Sequence, residues 1–255
     1  PPHDIPMGDM GALPPSPTDH PFVMAGTGEV NYTEVDFVIP GIGFDLTWYR
    51  TYRSAYEFEG WSGYGWSHCA ELYLVEHDQT TGDVSAYLGQ GRVNDIYDWD
   101  SGTSSYISPD GYWDQLTKGT RPSNYPDYPS LPFFTKTEKN GVVWEFDKIY
   151  STQGKLMYGC TRIADPFGNE LRLEYNDAAT DLKAYQVLKL IDTEGREVDF
   201  TYTNDLLTRL VVSDSSIHSD YGDLTIDYEY CGGLLTKATK HKTRQVDGGT
   251  VVRPY

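Results

Sequence analysis

Apolar and polar residues alternate along most of the chain in short runs, and the runs are cut by glycine turns. GEVNYTEVDFVIPG, from Gly28, alternates down to Pro40-Gly41, which predicts a strand followed by a turn. FDLTWYRTYRS follows almost at once as a second strand, and β-favouring residues, 21 tyrosines among them, continue to the far end. No segment carries a sustained apolar stripe of helical period with caps. The best helical stretch, DAATDLKAYQVLKLI (Asp177 to Ile191), drifts into Val and Ile and supports at most a short helix. The pattern predicts an all-β fold.

Two stretches lack the alternation. Residues 1–27 hold seven prolines, each lacking a backbone donor, and predict an extended arm that gains order by packing on something. Between Ser101 and Pro132 the sequence turns loop-like, with Pro122, Pro126, Pro129 and Pro132 pointing to a long connection or insertion. The expected organisation is therefore an arm over 1–27, a β module over 28–100, a loop-rich connection over 101–137 and repeated strands over 138–255.

The repeat lies in RIADPFGNELRLEYND (Arg162 to Asp177) and LIDTEGREVDFTYTND (Leu190 to Asp205). Asp165, Gly168 and Tyr175 stand at the same offsets as Asp192, Gly195 and Tyr202. Each unit is an Asp-x-x-Gly turn feeding a strand. Asp accepts backbone N–H bonds where the turn starts, Gly tolerates positive φ, and the period of two buries one side. Leu171, Leu173 and Tyr175, like Val198, Phe200 and Tyr202, share one face; Arg172, Glu174, Asp199 and Thr201 take the other. A decayed third copy runs from Leu210 through Asp214 and Gly222 to Tyr228 and Tyr230, and EKNGVVWEFD (Glu138 to Asp147) is an earlier relative.

These units resemble the YD repeats of RHS-repeat proteins, a family that includes bacterial polymorphic-toxin shells, wall-associated proteins and the teneurin shell. The front half adds to the resemblance: GEVNYTEVDFVIPG, LTWYRTYRS (Leu46 to Ser54) and GYGWSHCAELYL (Gly63 to Leu74) follow the order of the module that precedes the family's repeats. Trp48, Arg50, Tyr52, Trp66 and His68 fall on its motif positions. The resemblance implies antiparallel hairpins forming part of a hollow β-shell that encloses cargo or presents an adhesive surface. Two clear repeats are fewer than a closed cocoon needs, so the sheet is expected to be continued by further repeats or by identical protomers pairing at β-edges.

Charge narrows the partners. The net charge is −18, and residues 1–100 hold 16 acids against Arg50, Arg53 and Arg92 alone, which disfavours nucleic acid and anionic membranes. LLTKATKHKTRQ (Leu234 to Gln245) carries four cations and no anion, so the acidic front, the proline-rich arm and this basic stretch suit head-to-tail assembly. Nothing approaches the length of an apolar membrane span. The chain starts at Pro1 without Met, which reads as a processed or excised piece; the resemblance to RHS-repeat proteins implies an extracellular or cell-surface location.

Candidate chemistry is sparse. GWSGYGWSH (Gly60 to His68) offers Trp61, Tyr64 and Trp66 as a sugar platform and His68 as a base, but aromatics in alternating strands more often fill a core. His68, Cys69 and His77 match no zinc spacing, and Cys69, Cys160 and Cys231 make no disulfide framework. Asp95, Asp98 and Asp100 near Gly102 lack the closing Glu of an EF-hand, and Ser62 lacks the second glycine of a nucleophile elbow. No cofactor motif is present. The expectation is a non-enzymatic shell segment; the alternative is a carbohydrate-binding or adhesive module using exposed aromatics.

Overall fold

A computed structural model describes residues 22–23, 28–55, 57, 59–77, 82–89, 93–120, 132–152, 155–176, 185–213, 224–246 and 249–254. The strands at the front are β1 (Phe22–Val23), β2 (Val30–Ile39), β3 (Leu46–Arg53), β4 (Glu59–Gly60), β5 (Gly63–Tyr64) and β6 (Trp66–His68). Next come β7 (Leu72–Glu76), β8 (Val84–Leu88), β9 (Val93–Asp100), β10 (Ser105–Ile107), β11 (Gln115–Thr120), β12 (Pro132–Thr137) and β13 (Val143–Thr152). The remainder are β14 (Lys155–Ala164), β15 (Glu170–Tyr175), β16 (Val187–Ile191), β17 (Glu197–Thr203), β18 (Leu206–Ser213), β19 (Leu224–Cys231), β20 (Leu234–Val246) and β21 (Gly249–Pro254).

Every pairing is antiparallel, and no α-helix occurs among the described residues. The fold is all-β, as the alternation predicts. Of the expected helix, 177–184 lies outside the described residues, while Val187–Ile191 is strand β16. Its Val and Ile, stiff at χ1, find a half-buried pleated surface between β15 and β17, and that packing overrides the local helix formers. Residues 1–21 and 24–27 of the proline-rich arm also lie outside the described residues; Phe22 and Val23 pair with Asn31 and Val30.

Strand β14 is the branch point. One edge pairs with β13 from Val143↔Ala164 to Thr152↔Lys155. The other edge is shared: Leu156–Gly159 pairs with β7, and Arg162–Ala164 with β15. From β15 the sheet runs in sequence order to β21; from β7 it continues through β8 and β9 to β10, and from β13 through β12 to β11.

This second branch curls. In a flat sheet β11 and β7 would stand four spacings, about 19 Å, apart. Yet Lys118 Nζ of β11 lies 2.6 Å from Glu76 Oε1 of β7, and the Tyr106 ring of β10 meets Phe134 of β12 edge-on at 5.8 Å. The interior of the curl is packed with Phe134, Trp144, Phe146, Tyr158, Leu74 and Tyr97, all buried. Three of its strands, β10, β11 and β12, fall within the stretch 101–137 that reads as loop-rich.

The small sheet β1-β2-β3-β6 lies on one face of the β15–β20 branch. Trp48 stands against Phe200 at 4.8 Å, Arg196 Nη1 donates to Pro40 O at 2.7 Å, and Leu207 N donates to Trp61 O at 2.7 Å. Inward residues of the two sheets, Leu46 and Trp48 against Val198, Phe200, Leu210 and Ile226, make a continuous sandwich core.

Candidate functional site

Three hairpins repeat one device at 27-residue spacing. Gly141, Gly168 and Gly195 donate to the carbonyls of Glu138, Asp165 and Asp192, at 2.9, 3.2 and 3.0 Å. Their φ angles of +88°, +91° and +77° lie in the left-handed region, where an L side chain is strained. Asp165 Oδ1 accepts from Phe167 N and Asn169 N, and Asp192 Oδ1 from Glu194 N and Arg196 N. The aspartates thus saturate the turn amides in both copies.

The repeated tyrosine has an equally regular place. A register shift occurs at Glu174/Tyr175, again at Thr201/Tyr202 and a third time at Glu229/Tyr230. At each shift the tyrosine hydroxyl donates to a carbonyl of the preceding strand: Tyr175 to Cys160 O at 2.8 Å, Tyr202 to Val187 O at 3.0 Å, Tyr230 to Leu207 O at 2.7 Å. The bulge lies against the following strand; on the other side, the phenol reaches a carbonyl two residues beyond the last paired residue of the preceding strand, at Cys160, Val187 and Leu207, while its ring fills the core. In the third copy Tyr230, and not Tyr228, occupies the repeat position. The turn of that copy, 214–223, lies outside the described residues.

Tyr228 instead joins the seam between the two sheets. Arg50 is buried and forks onto the buried Asp36, Nε to Oδ2 at 2.5 Å and Nη2 to Oδ1 at 2.9 Å. Tyr228 OH donates to Asp36 Oδ2 at 2.6 Å and accepts from Trp48 Nε1 at 3.1 Å. The guanidinium lies 5.0 Å from the Trp66 ring centroid and 4.9 Å from that of Tyr228. Burial opposes its charge, but the bond to Asp36 and the charge of Asp36 outweigh burial and raise its pKa. Asp36 interrupts the alternation of β2 as a bulge between Val35 and Phe37, which turns an acid inward to meet the arginine. Sequence reasoning missed Asp36 and placed Tyr228 among the repeat tyrosines; the broken period at Val35-Asp36-Phe37 was the available signal for the acid.

The stretch Gly60 to His68 is spread along this seam. Trp61 meets Tyr202 edge-on at 6.2 Å, and Tyr64 N donates to Gly233 O while its ring is exposed. Trp66 stands against Tyr52 at 5.4 Å and Tyr32 at 6.3 Å. His68 is buried against Trp48 at 4.8 Å, and neither ring nitrogen has a hydrogen-bond partner. Its Nε2 is 3.5 Å from Glu71 Oε1, also buried and unpartnered. No group of three metal-ligating side chains occurs among the described residues. Asp100 accepts from Gly102 N and Thr103 Oγ1. The cysteines are free, and burial pushes the Cys69 thiol up to about 12.

Burial lowers the His68 pKa from 6.5 to about 3 and raises that of Glu71 from 4.5 to about 8. The contribution of this pair to folding stability should therefore have a plateau between pH 4.5 and 6.5. There the unfolded chain holds one proton on the histidine and the folded chain one on the glutamate, so the counts are equal. Below 4.5 the unfolded chain holds one more, and stability falls towards pH 3. Above 6.5 the folded chain holds one more, and stability falls through pH 8 by about 1.4 kcal/mol per pH unit. Urea unfolding of Glu71→Gln should lose the alkaline arm; an unchanged slope above pH 6.5 would refute this assignment.

The chain has relatives at the level of fold. A family model described as Domain of unknown function (DUF6531) matches residues 21–95. No curated protein matches the sequence. The crystal structure of TcdB2-TccC3 is similar over 91% of this chain with a TM-score of 0.62 at 10% identity, and this chain covers 16% of that one. The N-terminal domain of effector protein SpvB from Salmonella typhimurium strain LT2 aligns over 87% of this chain and 99% of its own at 13% identity, with a TM-score of 0.44, too low to carry an argument. The chain thus bears a DUF6531 match at its front and has the antiparallel all-β fold of a part of TcdB2-TccC3.

Proposed function

We infer that the chain is a non-enzymatic wall segment of an RHS/YD-repeat β-shell, working outside the cell or at its surface. The observation that carries this reading is the triple recurrence of one device: a bulge whose tyrosine hydroxyl bonds the preceding strand, at Tyr175, Tyr202 and Tyr230. Repeated pairing of this kind makes a stiff sheet whose stability is nearest-neighbour in origin and which is lengthened by adding copies. The front module covers one face of the sheet and seals it through Asp36, Arg50, Tyr228 and Trp48. At the other end, β21 pairs only with β20 among the described residues. That edge is where further repeats or an identical protomer would add, to wall off cargo or extend a surface structure.

The test combines the reading frame after Tyr255 with sedimentation over a wide concentration range. Further Asp-x-x-Gly units near 27-residue spacing support a continuing wall. Without them, association weakened by Val252→Pro supports pairing through β21, because proline removes an edge donor. No further repeats together with a compact monomer at every concentration would overturn the reading. An adhesive role has one observation in its favour, the exposed rings of Trp113 and Phe167. A glycan array without signal would dispose of it.

A further inference from the structure

Inside the curled branch, Lys136 of β12 meets two carboxylates. Its Nζ lies 3.0 Å from Asp114 Oδ2 and 3.1 Å from Glu138 Oε1. The lysine and aspartate side chains are each 5% exposed and the glutamate 10%. Tyr97, fully buried on β9, donates its hydroxyl to Asp114 Oδ2 at 2.7 Å, and Asp114 Oδ1 has no partner. The Trp144 ring stands 5.3 Å from the ammonium. Amine, carboxyl, a second carboxylate touching the amine and a phenol touching the carboxyl are thus held together in a dry aromatic interior.

We propose that Lys136 and Asp114 condense to an intramolecular amide, with Glu138 as the proton carrier and Tyr97 as the donor that holds Oδ2, the oxygen that departs as water. The ammonium first passes a proton to the aspartate across their hydrogen bond, which leaves a neutral amine and a carboxylic acid. Burial favours this exchange because the ion pair has lost its hydration. The amine nitrogen then attacks Cγ, one bond beyond the oxygen it already touches. Glu138 takes the proton the nitrogen sheds and returns it to the hydroxyl group, which leaves as water. One C–N bond forms and one C–O bond breaks; ammonium plus carboxylate become amide plus one water, and Glu138 ends as it began. No oxidant, metal or co-reactant is needed.

The roles follow from the contacts. Only Asp114, of the two acids, has a phenol on its oxygen. Glu138 instead has its second oxygen within 3.4 Å of Asn140 Nδ2. The link would join the residue preceding β11 to β12, closing the base of a hairpin whose register runs from Gln115↔Thr137 to Thr120↔Pro132. A covalent tie at that point would keep the curl shut when the chain is pulled or heated.

Intact mass spectrometry of the denatured full chain reads the outcome directly. The wild-type chain should weigh about 18 Da less than its sequence, the mass of one water. Tryptic mapping should yield one branched peptide containing both Asp114 and Lys136, uncut after Lys136. Lys136→Arg, which keeps the charge, should have its full sequence mass, and Glu138→Gln should form the link roughly 100-fold more slowly or worse. A wild-type chain at full mass overturns the proposal, as does an 18 Da deficit retained in Lys136→Arg. If Lys136→Arg fails to fold, the branched peptide from the wild-type chain decides alone: its presence supports the link and its absence refutes it.

Discussion

Replacing Arg50 with Met should cost about 3–5 kcal/mol of folding stability, because it strands the Asp36 carboxylate in a dry interior. Asp36 accepts two bonds from the guanidinium and one from Tyr228, and the first two would go. The pair itself is worth much less than its rupture. Arg50→Met combined with Asp36→Leu should recover most of the loss, since both charges then leave together. Urea unfolding of the two single variants and the double variant measures this coupling. A cost near zero for Arg50→Met, or strict additivity in the double variant, would mean that the ion pair does not hold the seam.

A loss of similar size, about 3–5 kcal/mol, is expected for Trp48→Ala. Trp48 is fully buried and touches both sheets, through His68 on one side and Phe200 and Tyr228 on the other. Its removal opens a cavity that the surrounding strands cannot close, since the sheets are held apart by the remaining side chains. It also lets water approach His68, so the histidine pKa should rise from about 3 towards 6.5, which an imidazole NMR titration would follow. A destabilisation below about 1 kcal/mol would show that the site can collapse. Trp48 and Arg50 share Tyr228, so their effects should couple in a double-mutant cycle.

Many of the strands, and the repeat turns, were readable from local order alone. Alternation marked β2 and β3, and the equal offsets of Asp165, Gly168 and Tyr175 and of Asp192, Gly195 and Tyr202 marked two identical hairpins. The role of the tyrosine was less accessible: it bonds the preceding strand just past the point where their pairing ends, and where a pairing ends is a property of two strands. The same reason hid Tyr230. Tyr228 and Tyr230 have the same residue type and equal claim to the repeat position, and only the register of β19 against β20 separates them. Strand β16 was obscured differently, by Leu and Lys residues whose mild helix preference yields once both edges are paired.

By itself, then, the sequence determined the fold class, the hairpin turns and the inward faces of the strands, because these follow from a period of two and from glycine at positive φ, both within a few residues. Tertiary structure alone decided how the sheet branches and what its interior holds. The partition of β14 between β7 and β15 joins residues eighty or more positions apart, and the curl that brings Lys118 to Glu76, and Tyr106 to Phe134, requires eight strands to be in place. No local pattern specifies such meetings. They are fixed by which curvature buries the most apolar surface while leaving every buried charge a partner.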